Sequence, residues 1–140
     1  MGQYHTLFNL DKLEQVNPHD LGFGAKQVEH TGFRGSLSDI LYVLTAYKVA
    51  RGGGDFADDN GIFKGRWHGD RVAVIGDYYE DGDLSSEWAY ALRPDENEKP
   101  QFKSITDEIR PYVETLFDLN GQMDYRPLGE KVAHFYAESK

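Results

Sequence analysis

Between Arg51 and Tyr78 the chain reads RGGGDFADDNGIFKGRWHGDRVAVIGDY, and no other stretch limits the fold as tightly. Its apolar run, Val72-Ala73-Val74-Ile75, is short and rich in β-branched side chains, whose stiff χ1 suits a pleated strand. Bounded by Arg71 and Gly76, the run predicts a central strand buried on both faces. Glycines gather at both of its ends, where a backbone turns sharply or lets another group approach closely. Such a strand, with charged loops at its ends, can carry a site. No spacing within it dictates one chemistry.

The chain of 140 residues suits one domain, burying roughly two-thirds of its unfolded surface around a single core. Hydrophobic residues make up 39%, enough to close that core despite the charge. Without cysteine there is no disulfide framework, no thiolate metal site and no thiol nucleophile, a composition compatible with a reducing cytoplasm. The longest apolar run falls far short of the ~18–20 residues of a membrane span. No basic-then-apolar leader opens the sequence, so a soluble, cytoplasmic protein is expected.

Net charge is −9, and residues 51–100 hold 12 of the 24 carboxylates against 6 of the 15 cations. An acidic middle repels phosphate backbones and disfavours nucleic acid. It steers encounter with a basic partner, or simply keeps the surface solvated.

In chain order, Gln3–Leu10 alternates as a strand, Asn9–Lys12 supplies a turn, and Leu13–Val16 returns as the second arm of a hairpin that Pro18 stops. Residues Ala25–His30 are coherent but too short to assign. Ser36 and Asp39 have the spacing of a capping box, and Leu37, Ile40, Leu41 and Leu44 keep an apolar face. These predict a helix over Leu37–Arg51 with Gly52 as its C′ residue. After the strand, Asp77–Asp83 is a turn. Ser85 or Ser86 caps a helix carrying Leu84, Trp88 and Leu92 and ended by Pro94. Phe102–Ile105 reads as a short strand. Thr106–Leu119 reads as a second long helix, ended by Asn120-Gly121, with Pro111 placed so that it effectively begins near Arg110. Leu128–Ala137 fits a helix slightly better than a strand. The sum is a single α+β domain over residues 1–140, a small, mostly antiparallel sheet with two main covering helices.

Candidate chemistry is diffuse. The five histidines, His5, His19, His30, His68 and His134, show no close ligand pairing, and no metal or cofactor is expected. Two acidic loops carry glycine at the calcium-loop offset, but Tyr79 and Trp88 fill ligand positions in one, and Phe56 and Trp67 in the other. Gly52-Gly53-Gly54 lacks the spacing of a nucleotide fingerprint. Met1-Gly2-Gln3-Tyr4-His5-Thr6 matches a myristoylation pattern, but Tyr4–Phe8 is committed to a strand.

What remains is a cluster: Arg51, Asp55, Arg66, Trp67, His68, Asp70 and Arg71, with Asp77 at the far end of the strand. Arginines offer planar forks to carboxylates or phosphates, Trp67 a stacking face, and His68 or Asp70 a proton carrier. The cluster reads either as an internal network, with Arg66 or Arg71 paired to Asp55 or Asp70, or as a binding site. Asp58, Asp59, Glu80, Asp81 and Asp83 form a candidate acidic partner surface.

The motifs Met1-Gly2-Gln3-Tyr4, Asn9-Leu10-Asp11-Lys12, Pro18-His19, Leu21-Gly22, Gly24, Arg51-Gly52-Gly53-Gly54-Asp55, Gly65-Arg66-Trp67, Gly69-Asp70-Arg71 and Gly76-Asp77-Tyr78 lie within about the first 80 residues. Through them the chain resembles a family of small, uncharacterised proteins of actinobacteria and their phages. The resemblance carries no residue roles. For a phage member it implies an accessory protein acting on host machinery or defence. Two readings follow: a non-enzymatic protein that binds a basic partner, a toxin or nuclease inhibitor being a special case, or a small-ligand-binding protein or hydrolase working at the arginine cluster. No nucleic-acid or membrane partner is expected.

Overall fold

A computed structural model of the chain describes residues 2–22, 24, 26–30, 37–49, 51–56, 58–80 and 82–122. The expected helix over Leu128–Ala137, the capping residue Ser36 and the acidic Asp81 lie outside the described residues.

The hairpin forms as its sequence dictates. Strand β1 (His5–Asn9) runs antiparallel to β2 (Glu14–Val16), with Leu7 opposite Val16 and Asn9 opposite Glu14. The Asn9 side chain accepts from the Lys12 N–H at 2.8 Å and fixes the turn, while Leu13 takes φ 53° to complete it. Asn9 is fully buried for this purpose.

The apolar run forms strand β3 (Val72–Gly76), antiparallel to β1, with Leu7 opposite Val74. Asp77 locks its end by donating to the Tyr4 carbonyl and accepting from the Tyr4 N–H, both at 2.9 Å. A two-residue strand β4 (Lys103–Ser104) lies parallel to β2, so the sheet is mixed, in the order β3-β1-β2-β4.

The two inner strands are therefore β1 and β2. The expectation that Val72–Ile75 is central and buried on both faces is corrected: β3 is an edge strand, and Val74 is 46% exposed. The cause is tertiary. Val72 reaches the main core, Ile75 is buried, and Val74 lies on an uncovered part of the edge.

Helices α1 (Leu37–Thr45) and α3 (Thr106–Gln122) meet the Leu7–Val16 face of the sheet. Ile40 and Leu44 from α1 pack with Ile109 and Val113 from α3, and Trp67 fills the space between them with no exposed surface. The opposite face is closed by α2 (Ser86–Ala91) and Phe102, whose ring meets Phe8 edge-on at 4.9 Å and stacks on Trp88 at 6.3 Å.

Helix α1 is shorter than expected, stopping at Thr45 rather than Arg51. Tyr47 leaves it to bridge with Lys64, and the Trp67 N–H takes the Leu44 carbonyl at 2.9 Å. Gly65, at φ 69°, makes that bridge possible, because a Cβ there would sit 2.9 Å from the Cβ of Tyr47. Arg51 and Gly52 accordingly cap no helix. Helix α3 starts a turn earlier than Arg110, with Ile109 donating to Ile105 at 3.1 Å, and it carries Pro111 inside its second turn.

Candidate functional site

The predicted cluster separates into two structures. The first is the turn around residues 65–71, which is pinned to the β1–β2 hairpin. Glu14 is its anchor, with only 13% of its side chain exposed. It accepts from Arg66 Nε at 3.2 Å, Arg66 Nη2 at 2.6 Å and the Trp67 indole N–H at 2.8 Å. These bonds favour the charged carboxylate, so the Glu14 pKa lies below its ordinary value. Arg66 is the largest cause, burial opposes it, and Trp67 adds to it. Arg66 also reaches Glu108 at 3.0 Å.

Arg71 closes the other side. Its Nε and backbone N–H both donate to Asp11, at 2.9 and 2.6 Å, and its Nη1 meets Glu87 at 2.9 Å. The Asp11 pKa is lowered in consequence, chiefly by the Arg71 side chain. Asp70 accepts from Asn9 Nδ2 at 2.9 Å and from Lys12, and these bonds lower its pKa, Lys12 first.

The expected pairing of Arg66 or Arg71 with Asp55 or Asp70 is thus corrected. The arginines take Glu14, Glu108, Asp11 and Glu87 instead. These partners lie 16 to 60 positions away, out of reach of any local pattern. His68 turns aside, with Nδ1 at 3.0 Å from the Thr45 carbonyl and its ring 6.1 Å from that of Tyr47. His68 and Asp70 therefore face different partners and form no proton relay with one another.

The second structure surrounds the glycine loop. Gly52, Gly53 and Gly54 all take positive φ, and the loop is tied by the Arg51 N–H donating to Asp55 at 2.6 Å. Beside it lies a cavity of about 150 Å³ lined by Tyr42, Val49, Gly54, Asp55, Phe56 and Phe63. The Tyr42 and Phe63 rings are 4.8 Å apart at an angle of 54°. Burial raises the Tyr42 pKa, and the charges of Asp55 and Asp59 raise it further. Tyr42, Phe56 and Phe63 did not stand out in the sequence. Their only signal was that aromatic residues flank a glycine-rich acidic loop on both sides.

Asp58 and Asp59 accept from the backbone N–H groups of Asn60 and Gly61 at 2.9 and 2.8 Å. Asp83 accepts from the Glu80 N–H at 2.9 Å, beside exposed Tyr78 and Tyr79. Among the described residues none of Asp55, Asp58, Asp59, Glu80 and Asp83 enters an ion pair. No group of three metal-ligating side chains occurs among the described residues. A wider depression of about 600 Å³, bordered by Tyr90, Arg93 and Asp95, contains none of the predicted residues.

Fold and site together define an α+β domain with a braced hairpin and a separate acidic, aromatic-lined loop. No family model, no curated protein and no solved structure matches the chain. No helix among the described residues is long and apolar enough to cross a membrane.

Proposed function

We propose that this is a non-enzymatic cytoplasmic accessory protein that binds a basic protein partner through its acidic loops. One observation carries the reading. Arg66 and Arg71 are consumed by carboxylates of the fold, whereas Asp55, Asp58, Asp59, Glu80 and Asp83 enter no ion pair among the described residues. The charge that these loops leave to meet a partner is net negative. An anionic ligand at Arg66 or Arg71 would compete with Glu14, Glu108, Asp11 and Glu87, which favours partner binding over the alternative of a small-ligand site or hydrolase at the Arg51/Asp55/Arg66–Arg71 cluster. The motif resemblance to actinobacterial and phage proteins suits the same accessory role.

The test uses the full chain as bait in the cells that express it, beside a variant with Asp58, Asp59, Glu80, Asp81 and Asp83 changed to Asn or Gln. Basic proteins should be retained by the parent and lost from the variant. Association with a purified partner should slow as salt rises, since exposed charges are screened beyond ~10 Å at 0.1 M. A partner whose on-rate ignores both salt and the five substitutions would overturn the reading.

A further inference from the structure

We infer that the cavity lined by Tyr42, Val49, Gly54, Asp55, Phe56 and Phe63 receives a lysine side chain of the basic partner, an assignment that rests on the binding role proposed above. The rings hold the aliphatic stem and face the ammonium, and Asp55 and Asp59 supply the counter-charge.

Three features of the cavity point to this occupant. The first is the wall. Tyr42 and Phe63 stand at 54° to one another, forming a corner rather than a flat stack, and Phe56 adds a third ring. Aromatic faces attract cations through their quadrupole, and rings grouped this way suit an ammonium on an apolar stem. The second is the charge. Asp55 lines the cavity, and both it and Asp59 act on the Tyr42 hydroxyl, so the negative field falls on the aromatic wall. Two neighbouring cations of the chain, Arg51 and Lys48, make contacts of their own. Arg51 Nε donates to the Lys48 carbonyl at 3.1 Å, and Lys48 Nζ lies 5.1 Å from the Tyr47 ring.

The third feature selects lysine over arginine. Asp55 already spends Oδ2 on the Arg51 N–H, and Asp59 spends Oδ1 on the Gly61 N–H. Neither carboxylate then presents two unengaged oxygens side by side to the fork of a guanidinium, whereas a compact ammonium needs a single acceptor. The size agrees. A cavity of about 150 Å³ leaves room for four carbons and one nitrogen.

The assignment is tested by mapping amide shifts of the ¹⁵N-labelled full chain with Nα-acetyl-lysine methylamide. Its Nε-acetylated derivative and the arginine analogue serve as parallel probes. Saturable shifts should be confined to the residues around Tyr42, Gly54–Phe56 and Phe63. Acetylation of the probe should weaken binding by about three- to thirty-fold, because it removes both the cation–π contact and the ion pair. The double variant Asp55→Asn, Asp59→Asn and, separately, Tyr42→Leu should each weaken the lysine probe while keeping a dispersed spectrum, Tyr42 being 46% exposed.

Equal binding of the acetylated probe would overturn the assignment in favour of an apolar ligand, and tighter binding of the arginine analogue would overturn the choice of lysine. Should the lysine probe leave the cavity unshifted while basic proteins are still captured through the five carboxylates, the cavity assignment alone is refuted. If the probe binds as described but capture ignores those carboxylates, the wider binding role is refuted, and with it the basic partner as the source of the lysine, while the cavity's preference for a lysine side chain stands.

Discussion

Glu14→Ala is the most informative perturbation of the fold, because one side chain holds three donors on two adjacent residues of the turn. The substitution strands the indole N–H of Trp67, a residue with no exposed surface, after a 2.8 Å bond to Glu14 is lost. An unsatisfied buried donor costs about 1–3 kcal/mol. The Arg66 interaction adds less. Its guanidinium is 36% exposed and keeps Glu108 at 3.0 Å, so about 0–1 kcal/mol is appropriate for that pair. The expected loss is about 1–4 kcal/mol, read from urea unfolding followed by circular dichroism. Glu14→Gln, which retains an acceptor for the indole, should cost less. The decisive comparison is a double-mutant cycle: with Trp67→Phe already present there is no N–H to strand, so Glu14→Ala should cost about 1–2 kcal/mol less than in the parent. If Glu14→Ala changes stability by under about 0.5 kcal/mol, or the cycle shows no coupling, Glu14 does not anchor the turn and the argument fails.

The same carboxylate predicts a pH dependence. Its folded pKa lies below the ordinary 4.5, so its contribution is fully present above that value and disappears as pH falls through the lower folded value. Glu14→Gln should flatten this acid limb in pH-dependent unfolding, leaving the parts due to Asp11 and Asp70, whose pKa values are also lowered. Gly65→Ala should lower stability by about 1–3 kcal/mol in thermal unfolding, because it combines a left-handed φ of 69° with a 2.9 Å approach to Tyr47. Val74→Asp should cost under about 1 kcal/mol, as befits a residue 46% exposed on an edge strand; a collapse of the fold would restore β3 to the interior.

Local signals accounted for the elements but not for how they are placed. The β1–β2 hairpin followed from alternation, from an Asn9 turn and from Pro18, all acting within a few residues. The inward stripe Ile109, Val113 and Leu116 specified α3, and the β-branched run specified β3 as a strand. The position of β3 in the sheet was not encoded in the run itself, because burial of Val74 depends on which distant segments cover it. In the same way, Leu37–Arg51 kept helical periodicity past Thr45, but Tyr47 is drawn into a bridge with Lys64 that no local pattern announces. The arginine cluster was legible as residue types gathered in one stretch. Its partners Glu14, Asp11, Glu87 and Glu108 were not, because ion pairs form wherever chain packing brings opposite charges together. The aromatic cavity depends most on tertiary structure. Tyr42, Phe56 and Phe63 converge only once helix α1 stops at Thr45 and the glycine loop folds back beside it.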